Sequence, residues 1–248
     1  MITVEVSAFS VQWAVKAQEC GANRIELCAN LKEGGTTPSI GCIQLVREKL
    51  KIKLFVIVRP RGGDFYYNQS EIETIARDID YIKRLGVDGI VIGLLNSQNQ
   101  VEIAITRQLV DLARPMEVTF HRAFDKVENP FQALEEVIET GCTRILTSGL
   151  KATAIEGANL LRELNKQSKG RIIIMPGSAV NEKTIEDLWL STNLTEYHLS
   201  AKKQRLISVK QINSAVNFNL FGSTEEFEYE LDDKMLRKVI ELTSNFSI

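Results

Sequence analysis

A closed barrel of eight parallel strands wrapped by helices, (β/α)8, is the single-domain α/β fold that this sequence predicts, on three observations. A short β-branched run, a polar loop and an amphipathic stretch of helical length recur along the chain, an order that requires parallel strands joined by helical crossovers. The 248 residues match the usual size of such a barrel built as one domain. No glycine-rich dinucleotide fingerprint follows the first run, which weakens an open doubly wound sheet.

Taken in order, the strands are predicted at ITVEVS (2–7), RIELC (24–28), LFVIVR (54–59), GIVIG (89–93), EVTFH (117–121), RILTS (144–148), RIIIM (171–175) and TEYHLS (195–200). Helices are expected between them, as in VQWAVKAQEC, EIETIARDIDYIKRL and FQALEEVIETG, whose apolar residues recur at three- and four-residue spacing. Gly21, Gly86 and Gly141 stand where helices end. Thr37 followed by Pro38 reads as an N-cap with proline at the first helical position. After the eighth strand, residues 201–230 are too many for an ordinary barrel connection. Lys202, Lys203 and Arg205 open that stretch and Phe218, Leu220 and Phe221 come later in it, so it is expected to be a lid or a subunit interface. A terminal helix follows at 231–245.

Composition narrows the function classes. A 44% hydrophobic content supports one large core, and a formal net charge of -2 with scattered Lys and Arg leaves no basic stripe. Nucleic acid and anionic membrane are therefore not expected partners, and small or neutral ones are. A small anionic ligand is expected only from the arginines at the strand ends. The amino terminus has no basic region before a long apolar stretch, and no run of about 18 apolar residues occurs. Cys20, Cys28, Cys42 and Cys142 form no CxxC pair. A cytoplasmic protein with reduced thiols is expected.

In a barrel of this kind, sites form where strand carboxyl ends meet the following loops. Alternation along each strand assigns faces, since the apolar set packs against the helices. Ile2, Val4 and Val6 then point outward and Thr3, Glu5 and Ser7 inward; Glu26 and Cys28 point inward on the second strand, and Ile57 and Arg59 on the third, with Arg61 continuing the parity. His121 ends the fifth strand pointing inward, and Glu196, His198 and Ser200 do so on the eighth. Parity gathers Glu5, Glu26, Arg59, His121 and His198 at one mouth. Glu5, Glu26 and His121 are the candidate proton-transfer groups, and which carboxylate is the base stays open. Arg59, Arg61, Arg122 and His198 are candidates for holding an anion, and Gly177 and Ser178 in MPGSA for offering backbone amides to phosphate at a helix amino terminus. Asp64 and Asp125 are placed to orient arginines or to cap helices. Two distant histidines without HxH or HExxH spacing make a thin zinc set.

Five motifs occur in order: EGGTTPS (33–39), RPRGGDFYYN (59–68), TFHRAFD (119–125), LTSG (146–149) and MPGSA (175–179). Together they resemble the CutC family, known as copper homeostasis proteins with a TIM-barrel fold, over nearly the whole chain up to about residue 201. The resemblance implies copper handling, with copper attributed to cysteines near the ends of the first two strands. Cys28 occupies the second-strand position, and Ser7 stands at the first, where the family usually has cysteine. Cu(I) prefers soft sulfur donors, so the resemblance leaves Cys28 as the metal ligand, helped by His121 or Met175. A homo-oligomer, dimer or tetramer, is the expected assembly. The alternative reading is a barrel enzyme acting on a small phosphorylated or carboxylated metabolite.

Overall fold

The structure is a computed structural model and describes residues 2–206 and 227–246. Eight parallel strands form the barrel wall: β1 (Thr3–Ala8), β2 (Arg24–Leu27), β3 (Lys53–Ile57), β4 (Gly89–Ile92), β5 (Glu117–Phe120), β6 (Arg144–Thr147), β7 (Ile173–Pro176) and β8 (Glu196–Leu199). They run in the order β7-β6-β5-β4-β3-β2-β1-β8, so the nearly closed sheet has its seam between β7 and β8. Outside lie α1 (Val11–Glu19), α2 (Ile40–Lys49), α3 (Gln69–Arg84), α4 (Ile103–Ala113), α5 (Pro130–Thr140), α6 (Ala158–Ser168) and α7 (Ile185–Thr192), with α8 (Asp233–Ser244) following at the carboxyl end.

The expected parity holds. Val4, Val6, Ile25, Leu27, Val56, Val58, Val118, Phe120, Tyr197 and Leu199 are buried in the core between sheet and helices. Cys28, Phe55, Ile57 and Val91 form a separate buried cluster inside the barrel. The two sets alternate along the strands because successive side chains leave opposite faces.

Local chemistry explains most helix ends. Asn68 and Glu71 form a reciprocal capping box at α3, Ser10 caps α1 and Asn129 caps α5, where Pro130 takes the first turn. Gly141 is left-handed at the end of α5, as expected. One expected cap is corrected. The cap of α2 is Ser39, whose hydroxyl accepts from Cys42 N, and not Thr37. Thr37 is used elsewhere: its hydroxyl and amide bond the backbone of Arg59.

The stretch after β8 begins and ends in strands: Lys202–Leu206 (β9) and Phe227–Leu231 (β10) pair as an antiparallel hairpin. Its basic residues face acids: Arg205 pairs with Glu228 and Glu230, and Lys203 lies near Glu230 and Asp233. Lys202 lies instead over the Tyr229 ring, 5.3 Å from its centroid. Phe218, Leu220 and Phe221 lie outside the described residues.

Candidate active site

The barrel interior has a charged floor and a polar mouth. On the floor, Arg144 reaches Glu196 at 2.6 Å and Glu117 at 3.2 Å, Arg24 reaches Glu196 at 2.6 Å and also holds Glu5, and Glu117 meets Lys53 at 2.5 Å. Arg24 and Arg144 flank the Phe55 ring at 4.8 and 5.3 Å from its centroid, a favourable placement for desolvated guanidinium groups. Both arginines open their strands, on the same inward parity as Glu26 and Leu146. That parity is visible in the sequence, but at the strand starts rather than at the carboxyl ends where sites form.

Glu5 belongs to this floor rather than to the mouth. Its carboxylate takes Arg24 on one oxygen and His198 Nδ1 on the other at 2.8 Å, and its side chain is 1% exposed. Burial works to raise its pKa, but Arg24 and the His198 hydrogen bond overcome that and lower it to about 2. Glu5 is therefore a fixed anion, with no oxygen left for proton transfer.

Glu26 is different. It lines a cavity of about 600 Å³ at the carboxyl ends of the strands, together with Ser7, Cys28, Arg59, His121, Arg122 and His198. Its nearest ionic partner, His198 Nε2, is 3.7 Å away. Burial raises its pKa to about 7, against the pull of the His198 cation and with the Glu5 charge adding to the rise. His198 is raised: burial opposes its charge, while the Glu5 hydrogen bond and the charges of Glu26 and Glu5 favour it. Of the two candidate carboxylates, Glu26 has the environment of an acid–base group.

His121 sits where HRAFD turns from β5 into a 3-10 turn, Arg122–Lys126. Its Nδ1 accepts the Ala123 amide at 3.1 Å, which leaves the ring proton on Nε2. Nε2 is buried without a hydrogen-bond partner among the described residues. Burial and then the Arg59 charge lower its pKa to about 3, so the ring is neutral. The residue opposite must be glycine, because a Cβ on Gly93 would stand 2.2 Å from His121 Nδ1.

Arg59 is 4% exposed and makes no ion pair among the described residues. Its Nη atoms donate to the carbonyls of Glu33, Gly35 and Gly63 at 2.7, 3.0 and 2.8 Å. Its fork therefore welds the EGGTTPS and RPRGG loops together, a correction to the expected bidentate grip on a ligand. It still leaves a net positive charge in the cavity wall. Arg122 is held by Asp125 at 2.7 Å and Ser148 at 3.1 Å. Asp125 also accepts from Thr147 Oγ1 and the amides of Ser148 and Leu150. It orients the arginine and clamps the LTSG loop, as one of its expected roles required. Lys126 and Lys151 add two cations to the lining.

Three expected anion-binding residues fall outside the cavity lining. Arg61 turns to Glu71 at 2.5 Å and Asp64 at 3.0 Å, supporting the cap of α3. Gly177 packs into the seam, where a Cβ would stand 2.5 Å from Leu146 Cδ1 and 3.5 Å from His198 Cδ2. Ser178 donates to Ala152 O, and α7 begins only at Ile185, so MPGSA is not a helix amino terminus. A larger groove of about 740 Å³ lies between α1 and the hairpin, sharing Phe9 and Glu33 with the mouth.

As a metal site the mouth is poor. Glu5, Glu26 and His198 bring donor atoms within 4.8 Å of one another, but Glu5 and His198 Nδ1 are already spent on each other and Arg24 stands against a cation. Cys28 lines the cavity and Ser7 is the nearby hydroxyl. Burial, then the charges of Glu26 and Glu5, push the Cys28 thiol well above its ordinary value. Met175 Sδ faces Arg24 at 3.2 Å. Cysteine and hydroxyl do not make the sulfur pair that Cu(I) prefers.

Fold and mouth together define a TIM-barrel protein with a polar site at the strand carboxyl ends. The chain belongs to the CutC family, whose model matches residues 2–203. It is 44% identical over 238 residues to the CutC family protein of Chromobacterium violaceum, covering 96% of each chain. It is 42% identical over 230 residues to the human copper homeostasis protein cutC homolog, covering 93% of this chain and 84% of that one. The structure of a copper homeostasis protein CutC from Streptococcus agalactiae aligns with TM-score 0.76 and 31% identity over 81% of this chain and 99% of that chain. Phosphoribosyl anthranilate isomerase from Thermotoga maritima, at TM-score 0.61, 12% identity and coverage of 99% of this chain and 100% of that one, shares the fold.

Proposed function

We propose that this CutC-family barrel is an enzyme that binds a small phosphorylated or carboxylated metabolite at its mouth and acts on it by acid–base chemistry. One observation carries the reading: the Glu26–His198 pair shares a cavity with Arg59, a buried guanidinium lacking a carboxylate partner, and with Arg122, Lys126 and Lys151. An anionic ligand would supply the missing charge, and a carboxyl group raised to about 7 exchanges protons near neutrality. Isothermal calorimetry with inorganic phosphate and oxalate tests it. Micromolar to millimolar binding, weakened about tenfold or more by Arg122→Ala, is expected; absence of binding by both anions sinks the reading.

The family's name, carried by relatives called copper homeostasis proteins, favours a second reading in which copper binds at Cys28. With Ser7 beside it the native site binds weakly, and Ser7→Cys tightens it. Competition with a Cu(I) chelator checks this: tight binding by the native protein that survives Cys28→Ser removes Cys28 from the site. The free cysteines suit a reducing compartment such as the cytoplasm. Among the described residues, no helix is long and apolar enough to cross a membrane.

A further inference from the structure

The two histidines of the mouth are tied at the same ring atom to opposite partners. At His121, Nδ1 takes a backbone N–H from Ala123, so the ring is a neutral donor through Nε2. At His198, Nδ1 faces the ionised Glu5 carboxylate at 2.8 Å, so that nitrogen donates, and Nε2 lies 3.7 Å from Glu26. Glu5 from β1, Glu26 and Arg24 from β2 are the charged groups that act on this ring; just past β7 it meets the uncharged Gly177. One imidazole is thus tied to a carboxylate beside the Glu26 carboxyl group, and the other is held neutral with an unspent N–H.

A neutral imidazole N–H is suited to an uncharged oxygen that becomes an anion during reaction, because it donates without first fixing a full charge in the ground state. The Arg59 guanidinium, close enough to lower the His121 pKa, would favour the negative charge as it appears. Phe9, Phe65, Ile57 and Leu146 give the same cavity apolar walls beside its charged groups. Cys28 is a poor nucleophile in this setting, since its thiol stays protonated.

We propose that the mouth, on the acid–base reading above, transfers a proton at the carbon next to a carbonyl group of a small phosphorylated or carboxylated substrate, with Glu26 as the base and His121 Nε2–H as the donor to the carbonyl oxygen. The substrate C–H bond breaks and its proton forms an O–H bond on Glu26. The electron pair left on carbon forms a C=C bond while the carbonyl π pair moves onto oxygen, where His121 and Arg59 oppose the new charge. Return of the proton to the same carbon re-forms the carbonyl and completes the cycle with no oxidant or reductant. Where that carbon carries a hydroxyl, its O–H proton passes to the former carbonyl oxygen and the Glu26 proton goes to the neighbouring carbon, which moves the carbonyl by one position. Glu5 and His198 are positioning residues in this scheme: Glu5 fixes the His198 ring, whose Nε2 lies 3.7 Å from the Glu26 carboxyl group.

The test compares wild-type binding of phosphoglycolate with that of phosphoglycolohydroxamate, a planar mimic of an enediolate, and binding of acetate with that of oxalate, a planar mimic of a carboxylated enolate. At least one planar mimic is expected to bind about tenfold or more tighter than its simple counterpart, and Glu26→Gln to abolish that preference while retaining the simple anion. Equal affinities within both pairs overturn proton transfer and leave the anion site standing. No binding of any of the four overturns the anion site and the proton transfer together. Imidazole ¹⁵N spectra need no variant to run and are simple in a chain with two histidines. One ring is expected to remain neutral and protonated on Nε2 from pH 5 to 8, and its signal to shift with the planar mimic. Two rings that both titrate in that range overturn the proposal whatever binds.

Discussion

The floor and the mouth of this barrel are built from the same residue types on the same strands, and they differ in what is left over. On the floor, Arg24, Arg144, Glu196 and Glu117 meet one another within 2.6 to 3.2 Å. At the mouth, among the described residues, Arg59 lacks a carboxylate, His121 Nε2 lacks an acceptor, and Glu26 stands 3.7 Å from its nearest ionic partner. Buried charge does not by itself mark a site. Hydrogen-bonding capacity and charge left unsatisfied after folding do, because a folded chain tolerates them only at a cost.

The largest way to break the contrast is at the floor. Arg144→Met leaves Glu196 and Glu117 short of a cation in a place where the arginine side chain is 2% exposed. Removing one partner of a buried pair typically costs about 3 to 5 kcal/mol. Chemical denaturation is expected to show a loss of that size. A loss under about 1 kcal/mol would mean that the floor is no more tightly coupled than a surface pair.

At the mouth the expected effect is smaller and depends on pH. The folded-state pKa of Glu26 is raised from 4.5 to about 7, so its contribution to stability is full below about pH 4.5 and is lost as pH rises to about 7. That loss amounts to roughly 3 kcal/mol for a shift of this size. The raised His198 acts in the same direction, its contribution being lost as pH rises through its folded-state value. Glu5 has the opposite sign: lowered to about 2, it contributes above about pH 4.5 and the contribution is lost on acidification towards pH 2. Glu26→Gln is therefore expected to flatten the decline in stability between pH 4.5 and 7 and to raise stability at pH 8. An unchanged slope would show that Glu26 ionises normally in the folded chain.

The sequence made the architecture legible because strand alternation and helix spacing are local signals that packing then obeys. All eight predicted runs became strands, with ends shifted by a few residues, as RIIIM did when β7 formed at Ile173–Pro176. Parity also brought Glu26, His121 and His198 to one place correctly. What it could not supply was depth along the barrel axis. Glu5 and Glu26 share an inward face, yet the stagger between strands sets Glu5 opposite Arg24 and Glu26 opposite Phe55. Only that register spends one carboxylate and leaves the other available. Loop geometry was equally hidden: Thr37 reads as a cap in sequence, but the Arg59 backbone from the next loop claims it.

The smallest expected effect sharpens the boundary of the mouth. Arg61 follows Arg59 by two residues and shares its parity, so sequence alone gives both the same claim on an anion. In the fold, Arg61 lies outside the cavity lining, with Nε on Glu71 and Nη2 on Asp64. Glu71 is also the reciprocal partner of Asn68 in the α3 capping box. Arg61→Ala should therefore leave the affinity for phosphate or oxalate within about twofold of wild type, less than 0.5 kcal/mol by the usual conversion. Its stability cost should stay below about 1 kcal/mol, because the Arg61 side chain is 38% exposed and water screens the pair. Arg122→Ala, by contrast, removes a cation that lines the cavity. Paired calorimetric titrations of the two variants separate the cases: if Arg61→Ala weakens anion binding as much as Arg122→Ala, the ligand sits over the RPRGG loop and not between Glu26 and His121.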